Sequence, residues 1–192
     1  PVIVTPSKLG SWFRHRGFPR VMEIDWWNSA DVCGLKVHAV PVQHWSQRIP
    51  FIVNRTLWAG FIVEGRNGRL LFPGDTGYSS DFKDIHERIG PMTVSLLPIG
   101  AYEPRWFMAP VHVNPEEAVA AHAAIAAEHA ATPVMVGMHW GTFVLTDEPV
   151  DEPPRRTRTA WAAAGFPAQD LWIMQPGETR QLKRKARVVG DE

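Results

Sequence analysis

The feature that most constrains the fold is a regular alternation of apolar, β-branched runs with segments of helical periodicity. Such alternation is typical of an α/β layered domain. Residues 92–100 are apolar almost without a break, which predicts a strand buried on both faces. The predicted strands are residues 2–5, 20–26, 35–43, 57–65, 69–74, 92–100, 133–140 and 170–175, and the predicted helices are residues 7–17, 81–90, 114–130 and 154–165.

Local signals place several of the element ends. Asn114 followed by Pro115 predicts a capped helix start, because proline suits the first helical position. The pair Asn67–Gly68 predicts a hairpin turn. Ser7 is the predicted cap of the first helix. The proline-rich residues 146–156 are predicted to form a loop.

Length and charge limit the classes of function. A chain of 192 residues predicts one domain over residues 1–178, followed by a basic tail over residues 179–192. Twenty basic residues balance twenty acidic ones, so net charge gives no support for a nucleic-acid partner. The single cysteine, Cys33, excludes an internal disulfide and a cysteine-rich zinc site. Without a signal segment or an apolar run of about 20 residues, the expected location is cytoplasmic or peripheral to a membrane.

Four side chains of metal-ligand type follow directly on apolar strands: His44, Asp75, His112 and His139. A histidine at a strand end is most often a structural residue, but four such positions together favour a metal site. Imidazole and carboxylate suit zinc or iron. The remaining histidines are expected to be structural: His38 lies within a strand, and His15, His86, His122 and His129 are predicted on helix surfaces.

The stretch "PIGAYEPRWFM", residues 98–108, places a glycine, two charged residues and two large aromatic residues after the most apolar strand. Gly100 is expected to let the chain turn there. Glu103 and Arg105 are expected to pair with each other and to brace the loop. A loop that is only a packed corner remains the alternative.

Together, four strings resemble the N-acylphosphatidylethanolamine-hydrolysing phospholipase D family of the metallo-β-lactamase superfamily. The strings are "PVQHWSQR", "LFPGDTGYSSDFKDIHERIGP", "LLPIGAYEPRWFMAPVHVNPEEAV" and "MHWGTF" followed by "DEPVDEPP". The resemblance extends over residues 1 to 178. It implies an αβ/βα sandwich with two zinc ions at the strand ends; iron or manganese would be alternatives.

The resemblance also implies roles for single residues. His44 would bind the first zinc ion and His139 the second, while Asp75 would bridge both and act in catalysis. His112 would act beside the metals as a catalytic helper. The residues expected to contact the substrate are Trp45, Tyr102, Trp106, Phe107 and His112.

One family motif, H-x-H-x-D-H, does not occur in these 192 residues. The chain is therefore expected to lack much of the N-terminal half of the sandwich, and each zinc ion to be left with one histidine and a shared aspartate. A catalytic zinc ion normally has about three protein ligands. A half-sandwich would also expose apolar surface, so a missing N-terminal segment or a homo-oligomer is expected to cover it.

Two classes of function remain open. The first is a di-zinc phosphodiesterase that hydrolyses a phospholipid, with aromatic patches that receive the acyl chains; a lactone or a β-lactam is the alternative substrate. The aromatic patches, Trp12 with Phe13 among them, are expected to pack in the core and at the domain edge, and apolar contact with a membrane at Trp12 and Phe13 is the alternative. The second class is a truncated, non-catalytic half-domain that needs a partner.

Overall fold

A computed structural model describes residues 1–126 and 133–182 of the chain. The elements, in chain order, are β1 (Ile3–Pro6), α1 (Gly10–Arg14), β2 (Val21–Ile24), β3 (Ser29–Val32), β4 (Leu35–Val40), β5 (Gln47–Ile49), β6 (Ile52–Val53), β7 (Gly60–Gly65), β8 (Gly68–Phe72), α2 (Asp81–Ile89), β9 (Val94–Pro98), α3 (Arg105–Met108), α4 (Pro115–Ile125), β10 (Val134–Met138), α5 (Glu152–Ala163), a 3₁₀ turn (Ala168–Asp170) and β11 (Leu171–Ile173). None of the helices in this described part has both the length and the apolar character needed to cross a bilayer.

Seven strands form a mixed sheet in the order β11-β10-β9-β8-β7-β4-β3. Strands β8, β9, β10 and β11 run parallel to one another. The pairs β3–β4, β4–β7 and β7–β8 are antiparallel. Because β4 and β8 are both antiparallel to β7, they point in the same direction. The carboxyl ends of β4, β8, β9 and β10 therefore meet at one edge of the sheet, where α/β folds usually build their sites.

One face of the sheet is covered by helices α2, α4 and α5, which cross over between the parallel strands. The main core lies here and is built from fully buried side chains of strands and helices, among them Ile62, Leu71, Leu97, Ile125 and Trp161. The predicted burial of the central strand on both faces holds for one face only: in β9, Ser95 and Leu97 are buried, whereas Val94 and Leu96 on the opposite face are half-buried.

The opposite face of the sheet is apolar but only partly covered. Strands β1 and β2 pair with each other, and a small cluster around Ile24 and Ala39 packs there with Phe61 at its margin. By strand register, Phe72 and Leu96 lie on this same face. Leu96 is half-buried, and 43% of Phe72 is exposed.

Several predicted element ends are confirmed. The Asn114 side chain accepts from the backbone N–H of Glu117, and the Glu117 carboxylate accepts from that of Asn114, a complete capping box with Pro115 at the first helical position. The hairpin turn is also confirmed, with Arg66 and Asn67 as its two-residue loop.

Other predicted ends are wrong. Ser7 does not cap the first helix. Helix α1 starts at Gly10, and the residue at its N-cap position is Leu9, which makes no side-chain cap hydrogen bond. The loop predicted for residues 146–156 ends early, because α5 begins at Glu152. Pro153 and Pro154 occupy the first turn of α5. Backbone N–H groups in a first turn have no acceptor within the helix, so a proline there, which has no N–H, costs no helical hydrogen bond. Strand β3 and the β5–β6 hairpin were not predicted.

Two predictions involve residues outside the described part. Helix α4 ends at Ile125, and the remainder of the predicted helix falls mostly within residues 127–132. His129 belongs to this interval. Most of the predicted basic tail, residues 183–192, also lies outside the described residues, so the division at residue 178 stays a prediction.

Candidate metal centre

Four side chains converge at the edge where β4, β8, β9 and β10 end. Asp75 follows β8 by three residues, and His139 directly follows β10. His44 lies four residues beyond β4, and His112 is carried by the long connection between β9 and α4. The structure thus brings together all four residues that the sequence placed at strand ends.

The distances between these groups suit a cation. One ligand-type atom from each of His44, Asp75 and His112 lies within 4.8 Å of the other two. The Nε2 atom of His139 lies 3.3 Å from Oδ1 of Asp75. The ring centroid of His112 is 5.6 Å from that of His44 and 5.4 Å from that of His139. Asp75 therefore faces all three imidazoles.

Hydrogen bonding leaves nitrogen lone pairs available at the centre. His44 Nδ1 lies 3.0 Å from the carbonyl oxygen of Trp45 and must donate to it, so Nε2 of His44 carries the lone pair. Nδ1 of His112 is buried without a hydrogen-bond partner. Burial is the main cause that lowers the pKa of His112, against the opposing effect of the Asp75 carboxylate. A neutral imidazole with an orphaned nitrogen beside a carboxylate fits a divalent ion.

A small network of hydrogen bonds ties the loops of Asp75, His44 and His112 together. The Gln43 backbone N–H donates to Thr76 Oγ1 over 3.1 Å, and the Val113 N–H donates to the Thr76 carbonyl over 2.8 Å. The Gln43 side chain donates to the Pro110 carbonyl over 2.7 Å. A Cβ atom on Gly77 would lie 2.7 Å from that carbonyl oxygen, so only glycine fits between the loops.

The ends of β9 and β10 also come into close contact. His139 has a left-handed backbone with a φ of 60°, which is uncommon for a non-glycine residue. A Cβ atom on Gly100 would overlap the carbonyl oxygen of His139. The left-handed backbone at this turn belongs to Ala101, with a φ of 62°, whereas Gly100 makes room for the backbone of a candidate ligand.

Two carboxylates of the α5 region hold the start of the loop that carries His112. Glu148 accepts from the backbone N–H of Ala101 over 2.6 Å and from that of Glu103 over 3.1 Å. The Tyr102 hydroxyl donates to Glu152 over 2.8 Å, and the Tyr102 ring is fully buried. Tyr102 thus braces the loop, and the substrate contact expected for it stays a prediction.

The predicted pairing of Glu103 with Arg105 is wrong. Nη2 of Arg105 donates to both carboxylate oxygens of Glu117, over 3.0 and 2.8 Å, and Nη1 donates to the His112 carbonyl over 2.8 Å. The Glu103 carboxylate instead accepts from the backbone N–H of Arg105 over 2.9 Å. Arg105 therefore connects the His112 loop to the first turn of α4, whereas Glu103 acts only locally.

The remaining aromatic residues lie on the surface near the site. Trp45 is 44% exposed, and its ring stacks on that of His44 at 5.7 Å between centroids. Trp106 and Phe107 project from α3 and are 84% and 63% exposed. Their proposed contact with substrate stays a prediction. The loop after His139 adds another exposed ring, Phe143, that sequence reasoning missed.

The prediction of a surface position for His122 is wrong. His122 is fully buried: its Nδ1 lies 2.8 Å from the Ser95 hydroxyl, and its ring packs on Trp161 and Phe166. The signal that was overlooked is that Ala118 and Ile125, which flank His122 at helical spacing, are buried small and apolar residues. His15 is exposed as predicted.

Comparison with known sequences gives an extensive match. The family described as the β-lactamase superfamily domain matches residues 4–140. The N-acyl-phosphatidylethanolamine-hydrolyzing phospholipase D 1 of Caenorhabditis elegans is 38% identical over 150 residues, which cover 73% of this chain and 41% of the worm protein. A metal-dependent hydrolase of Methanopyrus kandleri is 31% identical over 174 residues, which cover 90% of this chain and 67% of that protein. The chain thus spans about two fifths of the phospholipase relative.

Comparison with solved structures confirms the predicted fold class. A metallo hydrolase from the archaeon Ignicoccus hospitalis superposes with a TM-score of 0.71 over 96% of this chain and 70% of its own. Its sequence identity of 22% makes this a likeness of fold alone. The seven-stranded sheet with helices on one face is thus the arrangement of a metallo-β-lactamase-type hydrolase.

Proposed function

Because this chain belongs to the β-lactamase superfamily domain family, we propose that His44, Asp75 and His139 hold the metal of a phospholipid-cleaving hydrolase, with His112 beside it. The observation that carries the proposal is the convergence of His44, Asp75 and His112 within 4.8 Å. Support for the substrate class comes from the 38% identity to a worm protein named as a phospholipase D.

In this proposal, Asp75 is the central ligand. Its carboxylate lies near both His139 and His44, so Asp75 would hold a metal ion together with either histidine. Imidazole and carboxylate donors fit zinc, and they also suit iron or manganese. When bound, such ions polarise a phosphoryl oxygen and make water a nucleophile at neutral pH.

His112 is the proposed proton carrier. Its lowered pKa keeps the imidazole neutral, its Nδ1 is buried without a hydrogen-bond partner, and one of its ring nitrogens lies within 4.8 Å of ligand-type atoms of His44 and Asp75. In the reaction, water attacks phosphorus and the bond from phosphorus to the N-acylethanolamine oxygen breaks. That oxygen takes up a proton, and phosphatidate is the other product. Positioned general acids and bases contribute about 100-fold or more to such steps.

The aromatic residues at the rim are proposed to receive the acyl chains. Trp106 and Phe107 expose large apolar surfaces on α3, close to the loop that carries His112. Trp45 is held in place by stacking on His44. Apolar walls next to a polar centre are the usual arrangement of a site for an amphiphilic substrate.

The test combines metal content with turnover. The purified chain is loaded with zinc, its metal content is measured by elemental mass spectrometry, and release of N-acylethanolamine from N-acylphosphatidylethanolamine is assayed with and without chelator. We expect at least one zinc ion per chain and chelator-sensitive release. Asp75→Asn should lose both, whereas Asp84→Asn on α2 should keep both.

Other results would contradict the proposal. If Asp75→Asn kept its full zinc content, Asp75 would not be a ligand of the metal centre. Metal-dependent opening of a lactone or a β-lactam without any release of N-acylethanolamine would assign a different substrate to the same site.

A second candidate function is a non-catalytic domain that pairs with another polypeptide. The observation that favours it is the apolar sheet face around Phe72, which β1 and β2 cover only in part. This candidate predicts well under one zinc ion per chain, no effect of chelator on thermal unfolding, and self-association in sedimentation velocity.

A further inference from the structure

The β5–β6 hairpin forms an apolar projection that takes no part in the core. Its four apolar side chains are all exposed, and neither buried cluster includes them: Phe51 at 99%, Val53 at 58%, Ile49 at 54% and Ile52 at 39%. Phe51 lies at the tip with a φ of 65°, a left-handed conformation that bulky residues rarely adopt. An aromatic ring held outward at the cost of backbone strain indicates a contact surface.

A basic groove of about 480 Å³ lies between this hairpin and α1. Four exposed cations line the groove: Lys8, Arg16, Arg48 and Arg55. Within residues 1–126 and 133–182, these four cations form no ion pair. The guanidinium groups of Arg16 and Arg48 lie 3.6 and 5.0 Å from the ring centroid of Trp12. In a chain with no net charge, this is a strong local separation of charge.

We propose that the hairpin and the basic groove dock the protein on an anionic phospholipid bilayer. Phe51 and its apolar neighbours would insert among the acyl chains, and the four cations would meet the phosphates of the headgroups. Apolar tips flanked by arginine and lysine are the usual composition of interfacial contacts. A nucleic acid would use the cations but leave the exposed aliphatic side chains without a role.

The hairpin is also tied to the metal centre through its base. The Ser46 backbone N–H donates to the Asn54 side chain over 3.0 Å, and the Asn54 N–H donates to the Ser46 carbonyl over 2.7 Å. Ser46 immediately follows Trp45, the neighbour of His44. Docking through this hairpin therefore brings the strand-end edge of the sheet close to the lipid. The proposal goes beyond the proposed function, because it holds whatever ester the centre cleaves.

The test is cosedimentation of the purified chain with vesicles of phosphatidylcholine, either pure or mixed with anionic phosphatidylglycerol. We expect preferential binding to the anionic vesicles. Phe51→Asn removes the ring, and asparagine tolerates the left-handed backbone, so the turn is kept. This variant should lower the partition coefficient about tenfold. Arg48→Gln and Arg55→Gln should each lower it about fivefold on anionic vesicles.

Matched variants separate this surface from others. Leu35→Ser removes an apolar side chain that is 43% exposed at the amino end of β4, on the opposite edge of the sheet, and Arg155→Gln removes a cation whose side chain is 73% exposed on α5. Both should bind the vesicles as the original chain does. Equal losses for Phe51→Asn and Leu35→Ser would overturn the proposal, and so would equal binding to neutral and anionic vesicles. The proposal would also be overturned if the chain bound single-stranded DNA more tightly than anionic vesicles and Phe51→Asn left the DNA binding unchanged.

Docking and catalysis are tested separately. Asp75→Asn should sediment with anionic vesicles as the original chain does, because Asp75 lies at the metal centre and outside the groove. A chain that hydrolyses no phospholipid but still binds these vesicles through Phe51 would contradict the proposed function and leave the docking surface intact.

Discussion

At the scale of single residues, the centre depends on the close backbone contact between Gly100 and His139. Gly100→Ala would push a methyl group into the carbonyl oxygen of His139 and displace its imidazole. We expect zinc binding to weaken about tenfold to 100-fold, as measured by isothermal titration calorimetry. Gly165→Ala is the control for a general loss of stability, since Gly165 has open space around it but a φ of 76° that strains any side chain. If both variants weaken zinc binding equally, the effect is a general loss of stability.

A second residue-scale prediction separates the two roles that the geometry allows His112. If His112 carries a proton, His112→Asn should keep its zinc content and lose about 100-fold or more in kcat. The measurements are elemental analysis and turnover on the same preparation. A fall in zinc content that parallels the fall in kcat would make His112 a metal ligand instead.

At the scale of elements, the ion pair of Arg105 Nη2 with Glu117 joins the His112 loop to α4. Arg105→Lys has one nitrogen in place of Nη1 and Nη2, so it cannot keep both the ion pair and the bond to the His112 carbonyl. We expect a loss of about 1–3 kcal/mol in the free energy of unfolding, measured with urea. Arg155→Lys, at an exposed position on α5, should change it little. The prediction fails if Arg105→Lys and Glu117→Gln act additively in a double-mutant cycle.

At the scale of the whole molecule, the core contains a titratable group that makes stability depend on pH. Burial lowers the pKa of His122 from 6.5 to about 4, so the folded protein keeps this imidazole neutral. The unfolded chain binds the proton first, and stability is therefore complete above pH 6.5 and is lost as the pH falls towards 4. The expected loss is about 3 kcal/mol.

Urea unfolding at a series of pH values measures this dependence. His122→Gln should flatten the curve between pH 6.5 and 4, whereas His15→Gln, at an exposed histidine, should leave it unchanged. An identical pH dependence in His122→Gln would mean that other groups cause the acid loss.

The parts of the molecule that sequence predicts best are those with local causes. The Asn114–Pro115 start needs only neighbouring residues, and it was predicted correctly. The convergence of the four strand-end side chains was also predicted, because residues that follow strands of the same direction share one edge of the sheet. Their role as metal ligands stays a prediction. The partner of Arg105 was not predicted correctly. Glu103 is nearer to Arg105 in sequence than Glu117 is, and only the folded loop determines which of the two carboxylates the guanidinium contacts. His122 was missed for the same reason: burial on α4 depends on what packs above it.

The direction of β4 relative to β8 has a consequence for how the chain is held together. Residues from position 44 to position 139 meet at one point, and the chain's only cysteine leaves it without an internal disulfide. An ion bound there would act as a cross-link across four strand ends, closing long loops that are costly in entropy to close. Since only the folded chain presents this ligand set, free metal concentration would set the folding equilibrium by mass action. The same cluster of side chains would then serve the reaction and also stabilise the fold.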